Sequence, residues 1–354
     1  MSDRVQLGSL VKLSTESAKD PAAVGLTRSV GLDHIDSDDL RLRRWSDIGN
    51  GADFTRVFRS GDVLFGKRRS YQRKVALADF DGVCSGDILV VRTADPRLDG
   101  LYLAYLLASP LFIGHAISSS AGSLSPRIRP RDLERFEFAL PSLDEQRHVV
   151  EVMRAVDREI ALSNDIVNAS NQALLAFITT KLIKENGARA WKSARLGELA
   201  SIEYGAPLPA ASRQGGSIPV YGSAGIVGWH SSALIEEPSV IIGRKGSAGT
   251  VYWSSTPSYP IDTAFWVKVK GQLLPKFCYY TLLGSNVPRL VAGTGVPGLS
   301  RQALLTVPVA YPSLEEQLAL VEHCEEYENL RSSSVNAMGA SRSLRTTLLQ
   351  ELIG

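Results

Sequence analysis

Cysteine is scarce in this chain of 354 residues: Cys84, Cys278 and Cys324 stand far apart and are odd in number. Such a set supports neither a disulfide framework nor a zinc site, and a reducing compartment suits it. Histidine is equally thin, and none of His34, His115, His148, His230 and His323 falls at metal-ligand spacing. No Walker loop, no His-Glu-x-x-His and no Asn-Pro-Pro-aromatic signature occurs, so no catalytic residue, no metal and no cofactor are expected. Gly293-Thr294-Gly295-Val296-Pro297-Gly298 satisfies the literal dinucleotide pattern but lacks its context, because Pro297 interrupts the helix that should follow. Long apolar runs are missing too. No segment is long and apolar enough to cross a bilayer, and Met1-Ser2-Asp3-Arg4 opens without a signal-type run, so a cytoplasmic protein with no membrane partner is expected.

What is present is a repeat. Pro141-Ser142-Leu143-Asp144-Glu145-Gln146 recurs 171 positions later as Pro312-Ser313-Leu314-Glu315-Glu316-Gln317. Each copy contains Ser-x-x-Glu, in which the hydroxyl accepts from the N3 amide and the Glu reaches back to the N-cap amide, so each opens a helix. Beyond the first cap, Val149, Met153, Val156, Ile160, Ser163, Val167, Ser170 and Leu174 recur in steps of four and three and share one face. Beyond the second, Leu320, Cys324, Tyr327, Leu330, Ser334, Met338, Ser341 and Leu344 do the same. Each helix is expected to run about 60 Å. The other helix is its natural partner, with Val156, Ile160, Val167 and Leu174 facing Tyr327, Leu330, Met338 and Leu344 across an antiparallel seam. A plain dimerising coiled coil would explain the stripe alone, but the repeat extends upstream of it.

Ala121-Gly122-Ser123 matches Ala292-Gly293-Thr294 at the same offset, Gly66-Lys67-Arg68 resembles Gly243-Arg244-Lys245, and Leu7-Gly8 resembles Leu196-Gly197. The repeating unit is therefore a globular domain, a loop, a cap and a long helix, dividing the chain at 1–140, 141–186, 187–311 and 312–354. Strands are expected at 62–65, 87–91, 239–242 and 264–267 and short helices at 101–107 and 277–283, giving a mixed α/β class. The net charge of +2 conceals a division, because residues 192–311 carry 10 Lys and Arg against 5 Asp and Glu while 312–354 carry 3 against 7. Arg56, Arg59, Lys67, Arg68, Arg69, Arg73 and Lys74 cluster as well, which suits a polyanionic partner or a solvated basic face.

Two variable globular domains alternating with two long helices, each entered through Pro-Ser-Leu-acid-Glu-Gln, resemble the DNA-specificity subunit of type I restriction-modification systems. The stretches from Gly216 to Gly228 and from Ile242 to Val251 are similar to parts of that family's target-recognition domains. The first domain departs from both, with no visible counterpart of Ile218-Pro219-Val220-Tyr221. The resemblance implies two α/β target-recognition domains related by a pseudo-two-fold internal repeat and joined by antiparallel helices. It implies a subunit that does no chemistry, each domain reading one half of a bipartite, asymmetric site on double-stranded DNA. The helices would set the spacing and dock two adenine-N6 methyltransferase subunits, and a motor/nuclease restriction subunit is a further partner it allows. The DNA-contact candidates are Lys67, Arg68, Arg69, Arg73 and Lys74 in the first domain and Tyr221, His230, Arg244, Lys245 and Ser247 in the second. Glu145, Gln146, Glu316 and Gln317 are assigned, again by resemblance, to the methyltransferase interface or to the junction that orients it. Two other readings are a nucleotide-using enzyme, which would bind S-adenosylmethionine alone, and a helical scaffold with non-DNA ligand domains, which would show no salt-sensitive DNA binding.

Overall fold

The computed structural model describes residues 4–48, 54–122, 124–184, 191–213, 215–292 and 298–353. The chain divides into two compact units, Met1–Ser163 with Asn336–Gly354, and Asn164–Val335.

The first unit opens with β1 (Arg4–Gln6), β2 (Val11–Leu13), β3 (Arg28–Val30), β4 (Ser46–Asp47) and β5 (Arg56–Phe58). It continues with β6 (Val63–Gly66), β7 (Val75–Leu77), β8 (Gly82–Cys84) and β9 (Ile88–Thr93), then helices α1 (Gly100–Ala108), α2 (Pro110–Ser118) and α3 (Pro130–Glu134) and strand β10 (Glu137–Ala139). One sheet has the order β2-β9-β6-β7 and a second the order β4-β3-β8-β5. Strands β6 and β9 read as unbroken apolar runs because both of their faces are covered. Val63, Phe65, Leu89 and Val91 point into the larger core with α1 and α2, while Leu64, Ile88 and Val90 alternate into a smaller core beneath the second sheet.

Long helix α4 (Leu143–Phe177) leads into the second unit, where β11 (Lys192–Arg195), α5 (Leu196–Leu199), β12 (Ala200–Tyr204), β13 (Ile218–Gly222) and β14 (Gly225–His230) follow. After them come β15 (Ser239–Gly243), β16 (Val251–Ser254), β17 (Tyr259–Pro260), β18 (Ala264–Val269), α6 (Pro275–Gly284), α7 (Arg301–Leu305), β19 (Pro308–Tyr311) and long helix α8 (Leu314–Ile353). Its sheets run β12-β18-β15-β16 and β14-β13-β17. The same division of faces recurs: Val240, Ile242, Phe265 and Val267 enter one core, Ile241 and Ala264 another.

The strand orders of the two units thus correspond. β3 pairs in parallel with β8 as β13 does with β17, so Arg28–Val30 holds the place of the Ile-Pro-Val-Tyr stretch that the first domain's sequence conceals. The repeated Leu-Gly has a packing cause. Leu7 N donates to Phe136 O and Leu196 N to Val307 O, both at 2.8 Å. A Cβ on Gly8 would stand 2.8 Å from Glu134 Cβ, and one on Gly197 would stand 3.1 Å from Leu305 Cδ2, so glycine lets the turn sit on α3 or α7.

In the first unit the N-terminal half of α4 meets the C-terminal half of α8, with Val149, Met153, Leu349 and Ile353 in one core. In the second unit the C-terminal half of α4 and the π-helical segment Ile178–Lys184 that ends it meet the N-terminal half of α8. There Leu174 and Ile178 join Val321 and Cys324, and the Phe177 ring lies 4.5 Å from that of His323. The pairing is antiparallel in each. Of the expected seam on α4, Leu174 is buried and Val156, Ile160 and Val167 are half-buried; on α8 it needs correction, since Leu330 and Leu344 are about half exposed while Arg345 and Leu349 are buried. Two successive steps of three, from Cys324 to Leu330 and from Met338 to Leu344, turn the side chain about 120° off the face, and Arg345, seven residues past Met338, is back on it.

A polar latch also repeats. Asp157 Oδ2 accepts from the Tyr105 hydroxyl at 2.8 Å in the first unit, and Glu328 Oε2 accepts from Lys276 Nζ at 2.9 Å in the second. Only the first is extended by Arg345, whose Nε donates to Asp157 Oδ1 at 2.7 Å. No single helix among the described residues is long and apolar enough to cross a membrane.

Candidate nucleic-acid interface

The basic dipeptide after β6 and the one after β15 occupy the same place in each unit. Lys67 O accepts from Ile128 N at 3.0 Å, and Arg244 O accepts from Leu299 N at 2.9 Å. Arg68 bridges Arg127 as Lys245 bridges Gly298, and Ala121 and Ala292 close the far side through reciprocal backbone bonds to those same two residues. The expected correspondence of Gly66-Lys67-Arg68 with Gly243-Arg244-Lys245 is therefore built into the backbone. The nucleotide-like run at 293–297, like Ser123, lies outside the described residues.

In the second unit the loop after β15 folds back tightly. A Cβ at Gly243 would stand 2.3 Å from Ser247 O and 2.7 Å from Ser223 O, so only glycine fits there. Thr250 Oγ1 donates to Ser223 O at 2.7 Å and joins this loop to the turn between β13 and β14. The two glycine-rich stretches of the sequence thereby form one surface. Lys245 and Ser247 are exposed on it. Arg244 is half-buried, and its Nε and Nη2 both donate to Asp262 O at 3.0 and 2.6 Å, with the guanidinium 5.3 Å from the Tyr204 ring. Its fork is thus engaged on one edge, leaving Nη1 for an outside group. His230 is half-buried on β14, edge-on to Tyr259 at 5.6 Å. Tyr221 requires correction: on a strand buried on both sides, it is 8% exposed and packs with Ile235 and Ile241.

The first unit's candidates separate in the same way. Arg68 Nε donates to Ser125 Oγ at 2.6 Å, and Asp87 sits 3.6 Å from Arg68 Nη1 and 3.2 Å from Arg127 Nε. Arg69 adopts a left-handed φ of 56°, with its Nε buried and unbonded. Lys67 is half-buried and makes no ion pair among the described residues. Arg73 and Lys74 are corrected. Arg73 Nε donates to Asp38 Oδ1 at 2.6 Å and its Nη2 to Ala108 O, while Lys74 Nζ donates to Leu32 O, so both cations serve the unit's own loops. Arg127, Tyr204, Arg289 and Arg301 escaped the sequence reading. For Arg127 a signal existed, since it stands 171 positions before Gly298.

At the helix entries the capping geometry is as expected for Ser142, whose amide and hydroxyl both donate to Glu145 Oε2 at 2.7 and 2.8 Å. These bonds hold the exposed Glu145 carboxyl below its ordinary pKa. Ser313 accepts from Glu316 N at 3.3 Å, but Glu316 Oε1 takes the Trp191 indole N–H at 3.2 Å. The glutamines behave otherwise than surface residues. Gln146 is fully buried; its Oε1 accepts from Asp99 N at 2.8 Å, and its Nε2 donates to Arg97 O and Pro141 O. Gln317, also fully buried, repeats this with Leu274 N, Gln272 O and Pro312 O. Each amide pins the start of a long helix to the loop that opens α1 or α6, where Asp99 caps through Leu101 N and Tyr102 N. All three of the hydrogen-bonding groups of each amide are thus spent within its own unit.

An internally duplicated α/β protein, each half closed by antiparallel helix segments and carrying a basic loop at the same place, is the class that this geometry defines. Residues 41–170 and 188–334 match the model of the type I restriction modification DNA specificity domain, and the chain belongs to that family. The family supplies DNA specificity and is not the catalytic component of its systems. The type I restriction enzyme EcoDI specificity subunit of Escherichia coli is 29% identical over 117 residues, 33% of this chain and 25% of that protein. The chain matches only a quarter of that relative's length. The MjaVIII specificity subunit of Methanocaldococcus jannaschii is 21% identical over 90% of this chain and 79% of that one. Among solved structures, the type I restriction-modification S subunit from M. genitalium superposes with a TM-score of 0.67 at 17% identity, covering 100% of this chain and 96% of that one. A chain from a structure of type I system assembly and conformational transition does so with 0.65 at 20%, covering 99% and 97%. At these identities the structural likeness speaks for the fold.

Proposed function

We propose that this chain is the DNA-specificity subunit of a type I restriction-modification complex acting in the cytoplasm on double-stranded DNA. The segments 1–140 and 187–311 each read one half of a bipartite asymmetric site, and the helices within 141–186 and 312–354 set the gap between the halves. One observation carries the reading. Two units of like strand order present a basic dipeptide through the same backbone bonds, yet with different side chains around it, as two readers of different half-sites require. Lys67, Arg68, Arg69, Arg244, Lys245, Ser247 and His230 are the contacts assigned. Arg244, engaged through two of its nitrogens, and Lys245 approach phosphate, with base reading falling to neighbouring loop side chains.

Two adenine-N6 methyltransferase subunits dock on the helices, and a motor/nuclease subunit joins through them. Exposed leucines on the helix segments of each unit, Leu162 and Leu344 in the first and Leu175, Leu318 and Leu330 in the second, support an apolar partner surface in each. Sequencing of modified adenines in cells with and without this chain tests the reading. A gapped motif methylated only when the chain is present is expected; identical methylation in both would overturn it.

A further inference from the structure

The equivalent basic loops of the two units manage their positive charge differently. In the first unit, Arg41, Arg59, Arg68, Arg92, Arg127 and Arg129 each lie within 4.0 Å of a carboxylate. In the second, none of Arg195, Arg213, Arg244, Arg289, Arg301 and Arg331 does so among the described residues, where the ion pairs are those of Lys276 and His323.

Two of the second unit's cations face one ring, and two more stand on the loops beside it. Tyr204 is 52% exposed at the end of β12, with the Arg244 guanidinium 5.3 Å and the Arg301 guanidinium 5.9 Å from its centre. Lys245 is exposed beside them and bridges Gly298, which brings the segment leading to Arg301 alongside. Pro288 packs on Gly249, where a Cβ would stand 2.7 Å from Pro288 Cα, so exposed Arg289 flanks the same loop. At the equivalent place in the first unit, Arg68 and Arg127 share Asp87.

We propose that Arg244 and Arg301 at Tyr204, with Lys245 and Arg289 on the adjoining loops, form a phosphodiester-binding site, and that this site supplies most of the salt-dependent affinity for DNA. The inference rests on the DNA reading above and goes beyond it by dividing the labour. A cation without an internal carboxylate holds condensable anions only until a phosphate replaces them, so each such contact releases a counterion. A cation already paired must surrender its carboxylate or bring that negative charge to the phosphate, and gains less. In the first unit Asp87 therefore holds Arg68 and Arg127 in place, and the second unit's loop grips.

The test is the slope of log K against log salt for the full chain on a non-specific 30-base-pair duplex. The Lys245→Gln, Arg289→Gln, Arg301→Gln variant is compared with Arg68→Gln, Arg127→Gln, and circular dichroism checks that both are folded. The triple variant is expected to flatten the slope by about 2 to 3, at roughly 0.9 per phosphate contact, and the double variant by less than about 1. Lys245→Arg should keep the wild-type slope. A triple variant with wild-type slope, or a double variant that loses as much, overturns the division of labour while leaving DNA binding standing. Wild-type protein with no salt-sensitive binding overturns the DNA reading and this inference with it.

Discussion

Gln146 and Gln317 show how much one side chain carries at a junction. Each satisfies one backbone N–H and two carbonyls that truncation would leave unpaired out of water. Gln146→Ala and Gln317→Ala are each expected to cost about 2 to 4 kcal/mol in urea denaturation, since an orphaned buried polar group costs about 1 to 3. Glu145→Ala should cost about 1, the worth of a cap. The thiols provide a second check. Burial pushes the thiols of Cys84, Cys278 and Cys324 up to about 12 from their ordinary value. A thiol whose pKa is raised on folding contributes stability that is whole below its unfolded value and is lost as pH rises toward the folded one. Stability should therefore decline between about pH 9 and 12, and iodoacetamide at pH 8 should label the three thiols only after denaturant is added, as read by intact mass.

At the scale of elements, the helix pair is anchored by different means in the two units. Arg345, 3% exposed, takes in the first unit the place that Leu174 takes in the second, 171 positions away. Asp157→Ala would leave a buried guanidinium without its carboxylate and is expected to destabilise by about 3 kcal/mol, whereas Asp157→Leu with Arg345→Leu should be far milder in the same melt. Val167→Asp places a charge on a half-buried seam position and should lower stability by about 2 kcal/mol; an unchanged melting temperature would contradict the seam. Leu330→Glu with Leu344→Glu should leave the melting temperature alone and abolish co-purification with the methyltransferase, because both side chains stand outside the seam.

For the whole molecule, the helices act as a ruler only if lengthening them moves the halves of the target without changing either. Inserting two matched turns, seven residues into each helix, keeps the seam on one face. The methylated motif is then expected to keep both half-sequences and to gain bases in its gap, read by sequencing modified adenines. An altered half-sequence would show that the domains read DNA through contacts the helices disturb.

The duplication, the cap at Ser142, the α4 stripe and the four central strands were legible in the sequence because each is a local pattern: a hydroxyl three residues before a carboxylate, apolar residues at helical period, short apolar runs between turns. The basic dipeptides were legible for the same reason. What only tertiary structure decided depends on residues distant in the chain. Whether Arg68 is free or held turns on Asp87, and the counterpart of β13 was hidden because three residues of β3 preserve its pairing and none of its side chains. Leu330 and Leu344 left the seam, and Arg345 entered it, through an accumulated rotation set by what each helix packs against. Gln146 and Gln317, conspicuous as letters, proved to be internal clamps because a buried backbone N–H and two carbonyls from separate segments converge where an amide has one acceptor and two donors to give.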